Sequence, residues 1–417
     1  MRVLMFGWEF PPHQAGGLAT ATVGLVKGLL RVGVEVTLVV PFPVSESPIA
    51  GLRLVGAEES PALRVHRIPS PLDPYGTVQG YADGLRSERG RSGADRSPYG
   101  GDLMAEVERF TSLAAEIAER EPHDVIDAHD WITFQAGVRA RARSGRPLVA
   151  HIHAIEFDRT GSDGNPLIAG RERDGLAAAD RVIANSHRLK RLCVDRYGVV
   201  ADKVDVIHWG IDGSPGAEVA ERAPAPFGPG TPIALFLGRV TSQKGPDLFL
   251  EMAARVARLV PTAHFVMAGT GDLLGGLIER AAELGLADRV HFTGGLGGAD
   301  VARAFRMADV CVMPSRSEPF GLVALESLLH GTPCVVAREA GVAEVVRNAI
   351  KVDCWDLDEM TNQVASILRH RPLRDELSDR GRREVGLPRF ALDEPARLTA
   401  ATYRAATARR SNPGALA

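Results

Sequence analysis

Four stretches of this 417-residue chain hold side chains whose types and spacing could do chemistry. In LFLGRVTSQKGPDLFLEM, Leu235 to Met252, Arg239 and Lys244 follow an apolar run and precede a helical one. Two cations just past a strand end can clamp phosphate, Arg as a planar fork and Lys as a point charge. Lysine is scarce here: Lys27, Lys190, Lys203, Lys244 and Lys351 are the whole set among 49 basic residues. One of them falls in this loop, although an exposed basic loop would look alike.

The second stretch is MPSRSEPFGLVALESLLHGTPCVVA, Met313 to Ala337. Glu318 lies in a Pro/Ser/Gly loop and Glu326 one to two turns into the helix that follows. The backbone N–H groups of Phe320, Gly321 and Leu322 open that helix and would face a ligand. A buried carboxylate there needs hydrogen-bond donors, and sugar or ribose hydroxyls are suitable ones. A capping carboxylate and a solvated glutamate would explain each Glu alone, but not the whole string.

The third is HQAGGLATATVG, His13 to Gly24, after the first apolar run. Gly16 and Gly17 let backbone N–H groups approach a phosphate at a helix start. The pattern is neither GxGxxG nor a P-loop, and a plain strand–helix turn is an equal reading. The fourth pairs DVIDAHDWITFQAG (Asp124–Gly137) with HIHAIEFDRTG (His151–Gly161). His151 and His153 alternate along a strand and are expected on opposite faces, so they would not share a metal. His153 falls at a strand's C-terminal end, where α/β sites form. No DxD triad or other metal cluster is legible, and no metal is expected.

Short apolar runs alternate with helix-period stretches throughout, the mark of βα units and parallel sheets. Strands are expected at Val3–Phe6, Glu35–Val40, Val65–Ile68, Val125–Ala128, Leu148–Ile152, Arg181–Ala184 and Val204–Ile207. A helix from about Thr20 to Leu30 should stop at Gly33. After a Pro/Gly/Ala-rich boundary near Gly213–Pro232 the rhythm restarts, with IALFLG, HFVMAG, RVHFTG, VCVMP and PCVVA as five strands. The stretch from Ser70 to Gly101 has no period and reads as a long loop, either a lid or disordered. The tail from Asp375 is helical and polar.

The composition is that of a globular protein: 45% apolar, 24% charged, net charge −3. It supplies no field for nucleic acid or an anionic membrane. No apolar run is long enough to span a membrane, and no export signal is legible at the start. Cys193, Cys311, Cys334 and Cys354 are scattered singletons, which fits a reducing cytoplasm. The sequence leaves a homo-oligomer open.

GGLA near the start, GRVTSQKG, and SRSEPFGLVALESLLHGTPCVV, in this order, resemble the retaining nucleotide-sugar glycosyltransferases of the GT-B fold, the glycogen-synthase-like and family-four group. The likeness runs from Met1 to about Tyr403. WEFPPHQAGGLATATVGL, AHDWITFQAG and HIHAIEFDRTG are most similar to the glycogen-synthase-like branch. The resemblance implies an α/β architecture of two doubly wound, Rossmann-like domains facing a cleft. An acceptor-side domain would span 1–212, with 70–101 as its loop, and a nucleotide-sugar domain 213–395. Residues 396–417 would hold a last helix, around Leu398–Ala405, crossing back to the first domain. Its expected apolar stripe is Leu398, Ala401, Tyr403 and Ala405.

The same resemblance implies the roles. Gly16 and Gly17 would approach the donor diphosphate, and Arg239 and Lys244 would neutralise it as it leaves. Glu318, with the backbone of Phe320, Gly321 and Leu322, would hold the donor sugar and phosphate. Glu326 would bind the ribose, and His153 would sit beside the anomeric carbon. The implied reaction moves a hexose, glucose by first choice, from UDP- or ADP-glucose to an α-1,4-glucan, with no metal or coenzyme. A small-molecule, natural-product or lipid-linked acceptor, a sugar-nucleotide epimerase, and a non-catalytic sugar or nucleotide binder stay open. Three departures stand out: Gln14 where glycogen synthases usually carry lysine, Ala340-Gly341 in place of Gly-Gly, and NAIKVDCWD (Asn348–Asp356) in place of a GLLV-like stretch.

Overall fold

The structure is a computed structural model; it describes residues 1–10, 17–40, 63–67, 103–161, 164–213, 222–224, 226–228 and 230–411. Gln14, Gly16 and the 70–101 stretch lie outside the described residues. The chain forms two compact units. The first comprises Met1–Gly210 and the segment from Leu392 onward, the second Ile211–Ala391.

In the first unit, β1 (Arg2–Phe6), β2 (Glu35–Val40), β3 (Leu63–Arg67), β4 (Val125–His129), β5 (Leu148–Ile152), β6 (Arg181–Ala184) and β7 (Val204–Val206) form one parallel sheet. Its order is β3-β2-β1-β4-β5-β6-β7. β4 and β5 are buried at every position, as expected of parallel strands covered on both faces. Alternate residues feed two cores. Leu4, Phe6, Ile126, Ala128 and Ala150 pack with Phe110 and Phe134. Val3, Met5, Val125, Val149 and Ile183 pack with Val26, Leu29, Ala396, Ala400 and Tyr403.

The second core depends on the last helix, Asp393–Ser411, which lies against the helix Gly17–Arg31. Gly28 makes the close approach possible: a Cβ there would come within 2.5 Å of the Leu392 carbonyl oxygen. The stripe expected for this helix is corrected. Leu398, Ala401 and Ala405 are exposed, and the buried face is Ala396, Thr399, Ala400, Tyr403 and Ala406. The i, i+3, i+4, i+7 spacing starting from Ala396 passes through Tyr403, the one member shared with the expected stripe.

In the second unit, β8 (Ile233–Leu237), β9 (His264–Ala268), β10 (Val290–Gly294), β11 (Val310–Met313), β12 (Cys334–Ala337) and β13 (Ile350–Val352) make a parallel sheet. Its order is β10-β9-β8-β11-β12-β13. The order reverses between β9-β8 and β8-β11, the switch point at which doubly wound folds bind ligands. β13 is a sixth strand beyond the five expected. It is only three residues long and lies inside NAIKVDCWD, too short for a periodicity signal. All four cysteines are buried free thiols. No helix among the described residues is long and apolar enough to cross a membrane.

Candidate functional site

In the first unit the C-terminal ends of β4 and β5 bring three imidazoles together. His129 ends β4 and is the register partner of His151 on β5. His153 lies two residues past His151, and a strand's side chains repeat every two residues, so both fall on one face. Their rings stack with centroids 4.6 Å apart and an interplanar angle of 14°. The expectation of opposite faces is therefore wrong: Ile152, not His153, is the residue across the strand. Trp209 covers His153, centroids 5.3 Å apart.

A chain of hydrogen bonds runs through this cluster. Tyr403 donates to Asp127 Oδ2 at 2.5 Å, and His129 Nε2 is 3.2 Å from the same oxygen. His129 Nδ1 is 2.9 Å from His153 Nε2. Burial pushes the Asp127 carboxyl up, but the neighbouring imidazoles of His129 and His151 outweigh this and hold it well below its usual range. With His129 in its neutral Nε2–H tautomer, an ionised Asp127 accepts from His129 Nε2–H, and His129 Nδ1 accepts from His153 Nε2–H. His153 Nδ1 then carries the free lone pair, and it has no hydrogen-bond partner among the described residues. Burial, with the neighbouring imidazoles, keeps His151 and His153 below the ordinary 6.5, His153 well below, so both are neutral near pH 7.

The His153 backbone is fixed as well. Its N–H donates to Asp130 Oδ1 at 2.8 Å, and its carbonyl accepts from Asn185 Nδ2 at 2.9 Å. Asp130 has φ 61°, the one positive value at a non-glycine among the described residues. Such strain persists where surrounding contacts over-determine it; here its side chain and backbone tie β4 to β5. A small cavity beside the cluster is bordered by Ala21, Leu25, His151, His153, Trp209 and Thr399.

In the second unit the loops after β8 and β11 are locked together. Gly245 has φ 67°, and a Cβ there would be 2.3 Å from the Pro314 carbonyl oxygen. Arg316 grips Asp247 with both guanidinium arms, at 2.7 and 2.5 Å, and donates to the Ser242 carbonyl. This brings Lys244 Nζ to 2.7 Å from Glu318 Oε2, which also accepts from Ser315 Oγ at 3.1 Å. Arg239 reaches Gln243 Oε1 at 3.3 Å. The carbonyls of Glu318 and Phe320 accept from Gly341 and Val342 N–H at 3.0 and 2.7 Å. Those bonds hold the loop that leads into the helix Leu322–Leu329. At its start Gly321 has φ 111°, and Leu322 has no intrahelical acceptor for its N–H.

Glu326 sits on that helix, with no hydrogen bond to its carboxylate among the described residues, and burial pushes it up to about 7. Lys244, Arg239 and the starts of the helices Pro246–Leu259 and Leu322–Leu329 together favour an anion. Gly17 opens the helix Gly17–Arg31 in the first unit. Four contributors escaped sequence reasoning: Asp127, His129, Trp209 and Tyr403. Period-two spacing of Asp127 with His129 could have flagged the first pair; Trp209 and Tyr403 arrive through tertiary packing alone.

The chain matches the family descriptions Glycosyltransferase Family 4 over residues 15–214 and Glycosyl transferases group 1 over residues 219–384. It is 31% identical over 410 residues to the D-inositol 3-phosphate glycosyltransferase of Thermomonospora curvata, covering 91% of this chain and 87% of that one. Among solved structures it is similar to the sucrose-phosphate synthase of Thermosynechococcus elongatus, with TM-score 0.75, 21% identity, and coverage of 98% and 99% of the two chains. It is also similar to the catalytic domain of starch synthase IV from Arabidopsis thaliana bound to ADP and acarbose, with TM-score 0.72, 15% identity, and coverage of 98% and 99%.

Proposed function

This chain belongs to the family-four and group 1 glycosyltransferases of the GT-B fold, and we propose that it transfers glucose, with retention, from UDP- or ADP-glucose to an α-1,4-glucan. The observation that carries the donor half is the Lys244–Glu318–Ser315 cluster at the ends of β8 and β11. Lys244 is already held there by a carboxylate. When a diphosphate enters, its greater charge draws the ammonium and Arg239 to itself, and Glu318 is freed to accept from sugar hydroxyls. The buried Glu326 carboxylate takes the ribose hydroxyls.

As the bond from the anomeric carbon to the diphosphate oxygen breaks, positive charge grows on the sugar and negative charge on the leaving group. Cations fixed in advance stabilise that separation. The acceptor oxygen bonds to the anomeric carbon on the face the diphosphate leaves, and its proton passes to a departing phosphate oxygen. His153 Nδ1, held as an acceptor by His129 and Asp127, takes a hydrogen bond from a donor-sugar hydroxyl. No residue in this scheme calls for a metal ion, so EDTA should leave the rate unchanged.

A second reading keeps the donor and changes the acceptor to a small phosphorylated polyol or sugar. It is supported by the names of two of the similar proteins, which specify inositol 3-phosphate and sucrose phosphate. A mass-spectrometric screen separates the two: UDP- and ADP-glucose against maltooligosaccharides, inositol phosphates and hexose phosphates. Extension of maltooligosaccharides supports the glucan, and single transfer to a phosphorylated acceptor supports the alternative. Absence of transfer from either donor to any acceptor would refute both.

A further inference from the structure

We propose that His129, His151 and His153 form a binding site for a borderline divalent metal ion, probed with Zn²⁺, and that filling it switches the enzyme off. One nitrogen from each ring lies within 4.8 Å of the others, and all three residues are buried. The backbone gives the convergence its frame. Two of the histidines sit two residues apart on one face at the end of β5, and the third is the register partner of His151 on the adjacent β4.

Tetrahedral Zn²⁺ with Zn–N bonds of about 2.0–2.1 Å sets its nitrogens roughly 3.4 Å apart. His129 Nδ1 and His153 Nε2, at 2.9 Å, already lie close to that separation. The His151 and His153 rings are nearly parallel, so one must turn for both lone pairs to meet an ion. His151 is the ring able to do so: neither of its nitrogens is within hydrogen-bond distance of a partner among the described residues, Asp127 Oδ2 lying 3.7 Å from its Nδ1, and it borders the cavity. Asp127 Oδ2 beside His129 Nε2 completes a carboxylate–histidine–metal arrangement, which fixes the ring and raises its basicity. A set of imidazoles suits Zn²⁺, Cu²⁺ or Ni²⁺, whereas Mg²⁺ and Ca²⁺ favour oxygen ligands.

The inhibitory consequence rests on the reading of His153 given above; the binding site itself does not. An ion held by His129 Nδ1 and His153 Nε2 takes the place of the hydrogen they share. The His153 proton moves from Nε2 to Nδ1. The ring keeps its charge, no proton leaves the protein, and Nδ1 turns from acceptor to donor. A sugar hydroxyl then loses its acceptor, and Trp209 and the cavity face an altered ring.

The test uses the full chain, chelator-treated and then dialysed. Zn²⁺ is titrated by calorimetry, Co²⁺ by visible absorption, and glucose transfer is followed over the same Zn²⁺ range. The expected result is one ion per chain and the intense bands of tetrahedral Co²⁺. Transfer should fall in step with occupancy and return on adding EDTA. His151→Asn should bind Zn²⁺ at least tenfold more weakly and, measured against its own metal-free transfer rate, resist Zn²⁺ levels that stop the parent; its melting curve checks its fold. Failure to bind one ion, or unchanged binding by His151→Asn, would overturn the site. Binding that His151→Asn abolishes but that leaves transfer intact would overturn the inhibition and count against His153 in the reaction, with the ion site standing.

Discussion

Lys244 Nζ lies 2.7 Å from Glu318 Oε2, so the cation assigned to the leaving group and the carboxylate assigned to the sugar are already partners without a donor. The pair comes from two loops, held in register by Gly245 against Pro314 and by Arg316 on Asp247. In the proposed reaction the carboxylate keeps the ammonium where the phosphate would bind and is itself kept near the sugar. Each then exchanges one partner for another when the donor binds, with little rearrangement.

Lys244→Ala should therefore lower kcat by about 10²–10³, on the order of 2–4 kcal/mol, with a smaller change in donor KM. Arg239→Ala should act in the same direction. Steady-state kinetics with saturating acceptor checks this. A variant that loses only KM would mean the cations bind ground state and transition state alike.

Acid should weaken both activity and stability through the histidine cluster. Burial holds His151 and His153 below the ordinary value of 6.5. A group with a depressed folded pKa binds more protons when unfolded in the window between its folded pKa and 6.5. Stability from these rings is thus complete above pH 6.5 and is lost as pH falls toward the folded values. Transfer should fall only at lower pH, where the folded His153 itself takes a proton and no longer accepts. Thermal melts from pH 8 to pH 5 should decline below pH 6.5 while kcat per folded enzyme holds longer, and a His153→Gln variant should remove the later activity limb.

Glu326 should show the opposite sign. Its carboxyl is pushed from 4.5 up to about 7 by burial. Stability is intact below pH 4.5 and is reduced as pH rises through the folded value, where a poorly solvated charge must form. Glu326→Gln should therefore raise Tm at pH 8, with little gain at pH 5, and should weaken donor binding. Calorimetric melts at the two pH values, with a donor titration, test both halves.

Gly245→Ala should damage stability and activity together. The residue needs φ 67°, and its added Cβ would press on the Pro314 carbonyl at 2.3 Å. Left-handed strain alone costs about 1–3 kcal/mol for a non-glycine residue. The loop that carries Lys244 must shift away from Pro314. A lowered Tm with a reduced kcat is expected, and an unchanged kcat would show that loop position does not set the rate.

The parallel sheets were legible because buried strands read as apolar runs between helical stretches. β1, β2, β4, β5, β6, β8, β9, β11 and β12 follow that rule, while β10 is mostly not buried. β13 was not legible, since three residues carry no period. The residues proposed for the donor, Arg239, Lys244 and Glu318, could be singled out because they closely follow strand ends, where sites form in this architecture, and Glu326 because it lies on the helix that follows. The support for His153 was hidden. Asp127 is 276 positions from the Tyr403 hydroxyl that it accepts from, and only packing of the last helix joins them. The histidine pair was misread through a period-two error rather than for want of signal.

The central claim is retaining transfer from a nucleotide sugar, and the anomeric configuration of the first-formed product tests it most directly. Proton NMR of a fresh reaction with α-linked UDP- or ADP-glucose and its best acceptor should show a new α-anomeric doublet with small coupling. That doublet should be absent or much slower to appear with Lys244→Ala. A doublet with the large coupling of a β-linkage would mean inversion and would contradict the account.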